Sequence, residues 1–255
     1  MSTFLFNNII VGPIRSRRMG LSLGVNLLPT KIKLCNFDCI YCECGLNQPF
    51  SNSLTPELPT RAQVMEHLAH TLQTMPQKPD AITFAGNGEP TIHPEFAQII
   101  GDVIELRNTH SPQSEVVVLT NATQLHKPQI LSALQKVDRC MFKLDSAIAQ
   151  TIAAVNQPAN MDFLNNFISN VSLFKGKKII QTMFLRGVVG GTIIDNTTNA
   201  EIAALIEVYK QVQVDEVFVY AIQRETPVPL ETVSKGELTE IAKRVREAGI
   251  VVNVS

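Results

Sequence analysis

From about residue 60 onward the chain alternates between short β-branched runs and segments whose apolar residues keep helical spacing. In "RAQVMEHLAHTLQTM" Val64, Leu68, Leu72 and Met75 share one helical face, and "DAITFAG" follows as a buried strand. The alternation continues through a helix around Phe96, Ile99, Ile100 and Val103, strand "EVVVLT", a helix from Ile130 to Val137 and strand "CMFKLD". A helical region reaching Phe174, strand "KIIQTMFL", a helix around Ile202, Leu205, Ile206 and Tyr209, and strand "EVFVYAI" extend the series. The last helix puts Leu238, Ile241, Ala242 and Val245 on one face, opens on the capping-box sequence "SKGE" and stops at Gly249. With a strand assigned near "NLLPTKIKL", the count is about six strand-helix units.

Strands separated by helices must be mostly parallel, because each crossover returns the chain to the same end of the sheet. The expected fold class is therefore α/β, either a partial (β/α)6 TIM-like barrel or an open doubly wound sheet. A length of 255 residues suits one such unit. The chain is read as a single domain with an N-terminal extension over 1–27, a barrel core over 28–249 and a C-terminal tail over 250–255; "FSNSLTPELPT" is read as a connecting loop. Polar residues and glycines gather where strands end: the cysteines after the first, "GNGEP" after the second, "TNAT" after the third, "KLD" at the fourth and "QRETP" after the sixth. In parallel α/β folds that rim carries the site, which favours the barrel.

A hydrophobic content of 45% with 18% charged residues is ordinary globular composition. A net charge of -1 gives no bulk attraction to a polyanion. The only tight basic cluster is "PIRSRRMG", whose Arg15, Arg17 and Arg18 either contact a phosphate or acidic substrate or form a solvated loop. The N-terminus lacks the pattern of a secretory signal, and no stretch approaches the roughly 18 apolar residues of a membrane span. The expected location is the cytoplasm, as a soluble protein. Five cysteines, an odd number and mostly clustered, argue against a disulfide framework and for metal or redox chemistry.

Four of those cysteines fall within "CNFDCIYCEC". Cys35, Cys39 and Cys42 follow C-x3-C-x2-C spacing, which lets one short loop wrap three thiolates around a metal centre. Soft sulfur ligands suit an iron-sulfur cluster or zinc, and a Cys39/Cys42 redox pair is a further reading. Cys44 follows Cys42 too closely for both to reach one tetrahedral ion easily. Three ligands on a 4Fe-4S cluster leave one iron open to a substrate or cosubstrate.

The cysteine spacing, with Tyr41 before the third cysteine, resembles the signature of the radical S-adenosylmethionine (SAM) superfamily. "GNGEPTIHP" resembles that superfamily's glycine-rich SAM-binding motif after the second strand. The likeness extends to "GPIRSRRMGLSLGVNLLPTK", "FKLD", "FLRG", "IDNT" and "AIQRETP", and is similar to the branch that includes the radical SAM wyosine synthases of tRNA modification. The resemblance implies an iron-sulfur oxidoreductase- or lyase-type enzyme whose open iron chelates SAM. An electron from flavodoxin or ferredoxin would cleave the sulfonium, and the 5′-deoxyadenosyl radical would abstract hydrogen from an unidentified substrate.

By the same resemblance, Cys35, Cys39 and Cys42 are cluster ligands and Tyr41 lies beside the adenine. Gly86, Asn87, Gly88 and Glu89 receive the methionine amino group through their backbone. Lys143 and Asp145, which share one strand face and could also pair with each other, contribute to the SAM carboxylate and ribose. Asn121 is a further ribose or carboxylate contact, or a turn-forming asparagine. Arg224 is assigned to a carboxylate or the adenosyl end, and Arg186 sits comparably after the fifth strand. Asp195 and Asn196, in the loop after that strand, are substrate candidates. His93 is read as structural, with His67 and His70 on a helix surface.

Wyosine synthases carry extra cysteines for a second cluster, whereas no cysteine precedes Cys35 and only Cys44 and Cys140 are spare. A tRNA substrate is thereby one alternative, a glycyl-radical enzyme activase another, and a zinc-binding interaction module a third from outside enzymology. Under that last reading "GNGEP" and the strand-end polar residues have no role.

Overall fold

The hairpin that begins the sheet comes from "SRRMG", where the Ser16 hydroxyl accepts from the backbone N–H groups of Arg18 and Met19 at 3.3 and 3.2 Å and Gly20 takes a φ of +66°. It joins β1 (Ile10–Ser16) to β2 (Gly20–Val25), and the two pair antiparallel. The structure is a computed structural model that describes residues 4–48 and 57–255. The expectations on the loop "FSNSLTPELPT" fall largely outside the described residues.

After β2 come α1 (Arg61–Thr74), β3 (Ala81–Phe84), α2 (Phe96–His110), β4 (Glu115–Thr120), α3 (Pro128–Leu134) and β5 (Arg139–Lys143). Then follow α4 (Ala149–Val155), α5 (Phe163–Leu173), β6 (Lys178–Val189), β7 (Thr192–Asp195), α6 (Asn199–Gln211), β8 (Glu216–Ala221), β9 (Leu230–Thr232), α7 (Lys235–Glu247) and β10 (Val252–Val254). The sheet runs β1-β2-β3-β4-β5-β6-β8-β10, and every neighbouring pair after β1-β2 is parallel. This is the partial TIM-like barrel, left open between β1 and β10.

Three expectations change. "NLLPTKIKL" is not the first barrel strand. Asn26 ends the sheet by folding its amide onto Leu28, donating to the carbonyl at 3.0 Å and accepting from the N–H at 3.2 Å, so the chain turns outward. The first parallel strand is β2, inside the segment read as an extension, and the tail contributes β10; the boundaries at 28 and 249 therefore cut through the sheet. The helical region ending at Phe174 is two helices, broken where Gln157 adopts a φ of +44° before Pro158. α7 has the expected capping box, with Ser234 and Glu237 exchanging side-chain and backbone hydrogen bonds.

The strands separate two environments. Leu23, Val25, Ile82, Phe84, Val116, Val118, Phe142, Ile180, Val217 and Val219 point outward and join the buried faces of the helices in the main core. Alternate residues point into the barrel, as the two-residue period of a strand demands. Its narrow end is filled by Ala81, Val117, Met141, Ile179 and Phe218 packed on Met19 from the β1-β2 turn. The opposite end, where the parallel strands finish, is lined by polar residues.

Candidate active site

Two glycines of "GNGEP" leave no room for a side chain. A Cβ on Gly88, whose φ is +142°, would sit 1.8 Å from the Leu34 carbonyl oxygen, and one on Gly86 would sit 2.2 Å from Asn26 Oδ1. Close approach lets the turn after β3 hold the cysteine loop directly: Leu34 N donates to Asn87 O at 2.8 Å and Glu89 N to Leu34 O at 3.2 Å. Asn47 braces the loop from inside, accepting from Cys35 N at 3.1 Å and donating to Cys35 O, Phe37 O and Asp38. Its far side is tied to the end of α4 by Ile40 N to Val155 O at 3.0 Å and Asp38 N to Asn156 O at 3.0 Å.

Cys35, Cys39, Cys42 and Cys44 are all partly exposed on this loop, whereas Cys140 is buried in the core. The Cys35 sulfur accepts from Phe37 N and the Cys39 sulfur from Asn156 Nδ2, each at 3.4 Å. Lys33 is only 3% exposed, with its ammonium 3.1 Å from Asp38 and 3.0 Å from Gly45 O. Burial alone would depress that ammonium, but the Cys42, Cys35 and Cys39 sulfurs outweigh it and raise the pKa. Burial pushes the Cys35 thiol up and the Cys39 thiol up to about 11. Cys42 is lowered to about 6, first by the neighbouring Cys44 thiol and then because Lys33 is near. The Cys44 thiol, which donates to Gly86 O at 3.6 Å, is raised by its proximity to Cys42.

Across the barrel mouth, Asp145 collects four donors. Its Oδ1 receives Lys143 Nζ at 2.7 Å and Met183 N at 2.8 Å, and its Oδ2 receives Tyr41 OH at 2.5 Å and Asn156 Nδ2 at 2.7 Å. The pairing of Lys143 with Asp145 follows from their two-residue spacing. Tyr41 is marked by its place before Cys42, whereas Asn156 and Tyr220 have no sequence signal. Asn156 sits at the break after α4, and Tyr220, which accepts from Lys143 Nζ at 2.6 Å, is one aromatic residue in an ordinary strand. Lys143 also lies 5.0 Å over the Tyr41 ring, and burial followed by the Asp145 charge raises the Tyr41 phenol.

The remaining motif residues are placed by buried hydrogen bonds. Glu89 accepts from Thr91 N at 3.1 Å, the Thr91 hydroxyl, Thr120 Oγ1 at 2.7 Å and Asn121 N at 2.7 Å. Asn121 donates to Asn36 Oδ1 at 2.7 Å, beside Cys35. Asn87 holds Phe6 from both sides and donates to Pro29 O at 2.8 Å. His93 is structural as expected, with Nε2 2.9 Å from Pro59 O. Arg224 lies at the rim, 2.5 Å from Glu43 of the cysteine loop and 5.9 Å over the Phe4 ring.

Three substrate candidates are engaged elsewhere. β6 outruns the barrel and turns at Gly190-Gly191 into a hairpin with β7, so Asp195 ends a strand instead of standing in a loop. Arg186 pairs with Glu237 at 2.8 Å and Thr197 at 2.6 Å, and Asp195 accepts from Thr197 N at 2.8 Å. Asn196 is wholly buried: it accepts from Leu185 N and donates to Asp145 O and Met183 O at 2.7–2.8 Å. A side chain spent on backbone groups in this way fixes the Asp145 strand end and is closed to substrate.

The fold and rim together define a TIM-like barrel with a cysteine loop seated on a glycine-rich turn. The sequence model of the radical SAM superfamily matches residues 31–207, and the chain belongs to that superfamily. Its members are enzymes that use a 4Fe-4S cluster and SAM. A protein of Helicobacter pylori named UPF0026 is 26% identical over 234 residues, covering 90% of this chain and 71% of its own. Among solved structures, TYW1 with a lysine-pyruvate adduct bound is similar with a TM-score of 0.64 at 14% identity, over 89% of this chain and 73% of that one. Streptococcus suis SuiB bound to S-adenosylmethionine gives 0.64 at 15% identity, over 91% and 50%. Among the described residues no helix is long and apolar enough to cross a membrane.

Proposed function

We propose that this chain cleaves SAM reductively and directs the resulting 5′-deoxyadenosyl radical to hydrogen abstraction from a substrate in the barrel. The observation that carries the reading is the cysteine loop itself: three thiols on one rim, two of them accepting N–H···S bonds, on a loop that also holds the buried Lys33. That donor set fits an anionic cluster, since hydrogen bonds to sulfur and a nearby cation both favour thiolate ligands. Among the described residues no three His, Cys, Asp or Glu side chains converge on a single point as one metal ion requires. The zinc alternative gains no support from that geometry.

Cys35, Cys39 and Cys42 would hold the 4Fe-4S cluster, with Cys44 outside the ligand set, its thiol directed at Gly86 O at 3.6 Å. When bound, the cluster supplies the electron that splits the SAM sulfonium. The backbone of Gly86, Asn87, Gly88 and Glu89, held against the loop, is available to the methionine amino group. Tyr41, Asn121, Lys143, Asp145 and Arg224 are assigned to the remainder of SAM. Lys143 and Asp145 orient by charge, and the Met19 floor excludes water from below. Flavodoxin or ferredoxin is the proposed donor of the electron.

Anaerobic reconstitution with iron and sulfide, followed by reduction with SAM present, should yield 5′-deoxyadenosine. Cys35→Ala, Cys39→Ala and Cys42→Ala should each abolish it, and Cys44→Ala should retain most of the iron and the cleavage. Absence of 5′-deoxyadenosine in the wild type, together with tight stoichiometric zinc, would sink the radical reading.

A further inference from the structure

The three arginines of "PIRSRRMG" do not share one environment. Arg15 and Arg17 are exposed on the hairpin, whereas Arg18 turns into the barrel. Its guanidinium donates through Nη1 to Gln181 Oε1 at 2.6 Å and lies 4.5 Å over the Tyr220 ring. Gln181 is buried, and the turn is locked there because the following residue, Met19, forms the barrel floor while Arg139 donates to the Arg18 carbonyl at 3.4 Å.

Arg18 has company at that depth. Gln181 is in register with Lys143 on β5, and Met183, two residues on, is in register with Tyr220 on β8. Lys143 lies 4.6 Å over the Tyr220 ring, so two cations meet one aromatic residue inside the barrel. The only acid among these inward-facing groups is Asp145, already matched by Lys143. Among the described residues no carboxylate lies within ion-pair distance of Arg18. Opposite stand the Ser22 and Thr83 hydroxyls, 2.8 Å apart.

This layer is reachable. Leu119, Lys143, Met183 and Tyr220 face inward from strands flanked on both sides by other strands, yet each keeps partial exposure. Their outward neighbours are sealed by the main core, and the lower end is closed by the Met19 floor. Their solvent contact is therefore with the barrel interior, which opens at the rim that carries the cysteine loop and along the unpaired edge between β1 and β10.

We propose that Arg18 is a substrate-binding residue that recognises an oxyanion, a carboxylate or a phosphate, at the inner end of the barrel, with Gln181 and Tyr220 fixing its guanidinium. A guanidinium presents paired N–H donors that match either anion, and its attraction is strengthened away from bulk water. The inference deepens the function proposed above: the substrate would be a small acidic molecule held by its anionic end below the level of Asp145, with the remainder directed toward the cysteine rim.

The test is anion binding by the intact chain saturated with SAM, read as thermal stabilisation by acetate and, separately, by inorganic phosphate at constant ionic strength. A ligand that binds only the folded state raises the melting temperature in a saturable way. Wild type should respond to at least one anion, and the preferred one distinguishes a carboxylate from a phosphate substrate. Arg18→Gln should weaken the apparent affinity tenfold or more, while Arg17→Gln on the exposed side of the turn should not. Gln181→Glu, which sets an internal carboxylate against the guanidinium, should remove the response even if Arg18→Gln folds poorly. No response in wild type, an unchanged response in Arg18→Gln or Gln181→Glu, equal loss in Arg17→Gln, or suppression by SAM itself would overturn the proposal. Binding is measured without turnover, so a protein that binds the anion but yields no 5′-deoxyadenosine would refute the radical reading alone.

Discussion

Gly88 shows how much a single residue carries. Its φ of +142° and the 1.8 Å that would separate an added Cβ from Leu34 O mean that any side chain must displace the residue next to Cys35. Gly88→Ala should therefore cost roughly 1–3 kcal/mol in stability, and should also lower the iron bound per chain after reconstitution. Gly190→Ala is the matched control. Its φ of +57° is also positive, but nothing lies within 4 Å of the added carbon and the turn is remote in sequence from the cysteine loop. It should lose some stability and keep its iron. At this scale the sequence was legible where chemistry is local, in the cysteine spacing and "GNGEP". It was silent on Asn156, Tyr220, Lys33 and the inward turn of Arg18, because each depends on which distant strand or helix end lies opposite. Asn196 was misleading for the same reason: an asparagine after a strand offers its amide to solvent or to buried backbone, and only the hairpin of β6 and β7 decides which.

Among the elements, α7 tests how far local signals determine structure. Its N-terminus is closed by the Ser234-Glu237 capping box, and its buried residues Leu238, Ile241, Ala242 and Val245 match the periodic face in the sequence. Ser234→Ala should cost about 1 kcal/mol, which for a chain of this size lowers the melting temperature by about 2–4 °C. Calorimetry should detect that shift with SAM cleavage unchanged. The strands β3 to β6 and β8 were readable because each carries a largely apolar run buried on both faces. β2 was not, since "GLSLGV" carries two glycines and leans on β1 for its pairing. β7, β9 and β10 are 3–4 residues long and take their identity from the strand beside them.

For the molecule as a whole, the sheet has two ends to protect. β1 covers one, and β10 covers the other by pairing with β8 from Val252 to Val254. Removing residues 251–255 would expose the N–H and C=O groups of β8 along a flat apolar strand, a ready template for pairing with another chain. The truncated protein should melt at lower temperature and scatter light on standing at concentrations where the intact chain stays clear. Retention of both properties would show that α7 alone protects the edge.

The floor built on Met19 has a consequence for kinetics. It closes one end, but the barrel stays open at the polar rim and along the unpaired edge between β1 and β10, so a molecule held deep need not pass one held at the rim. Under the proposed arrangement, with SAM at the rim and the acidic substrate beneath it, that second opening would let the two exchange independently. Steady-state patterns would then be random in order, with excess SAM leaving the deeper anion site open.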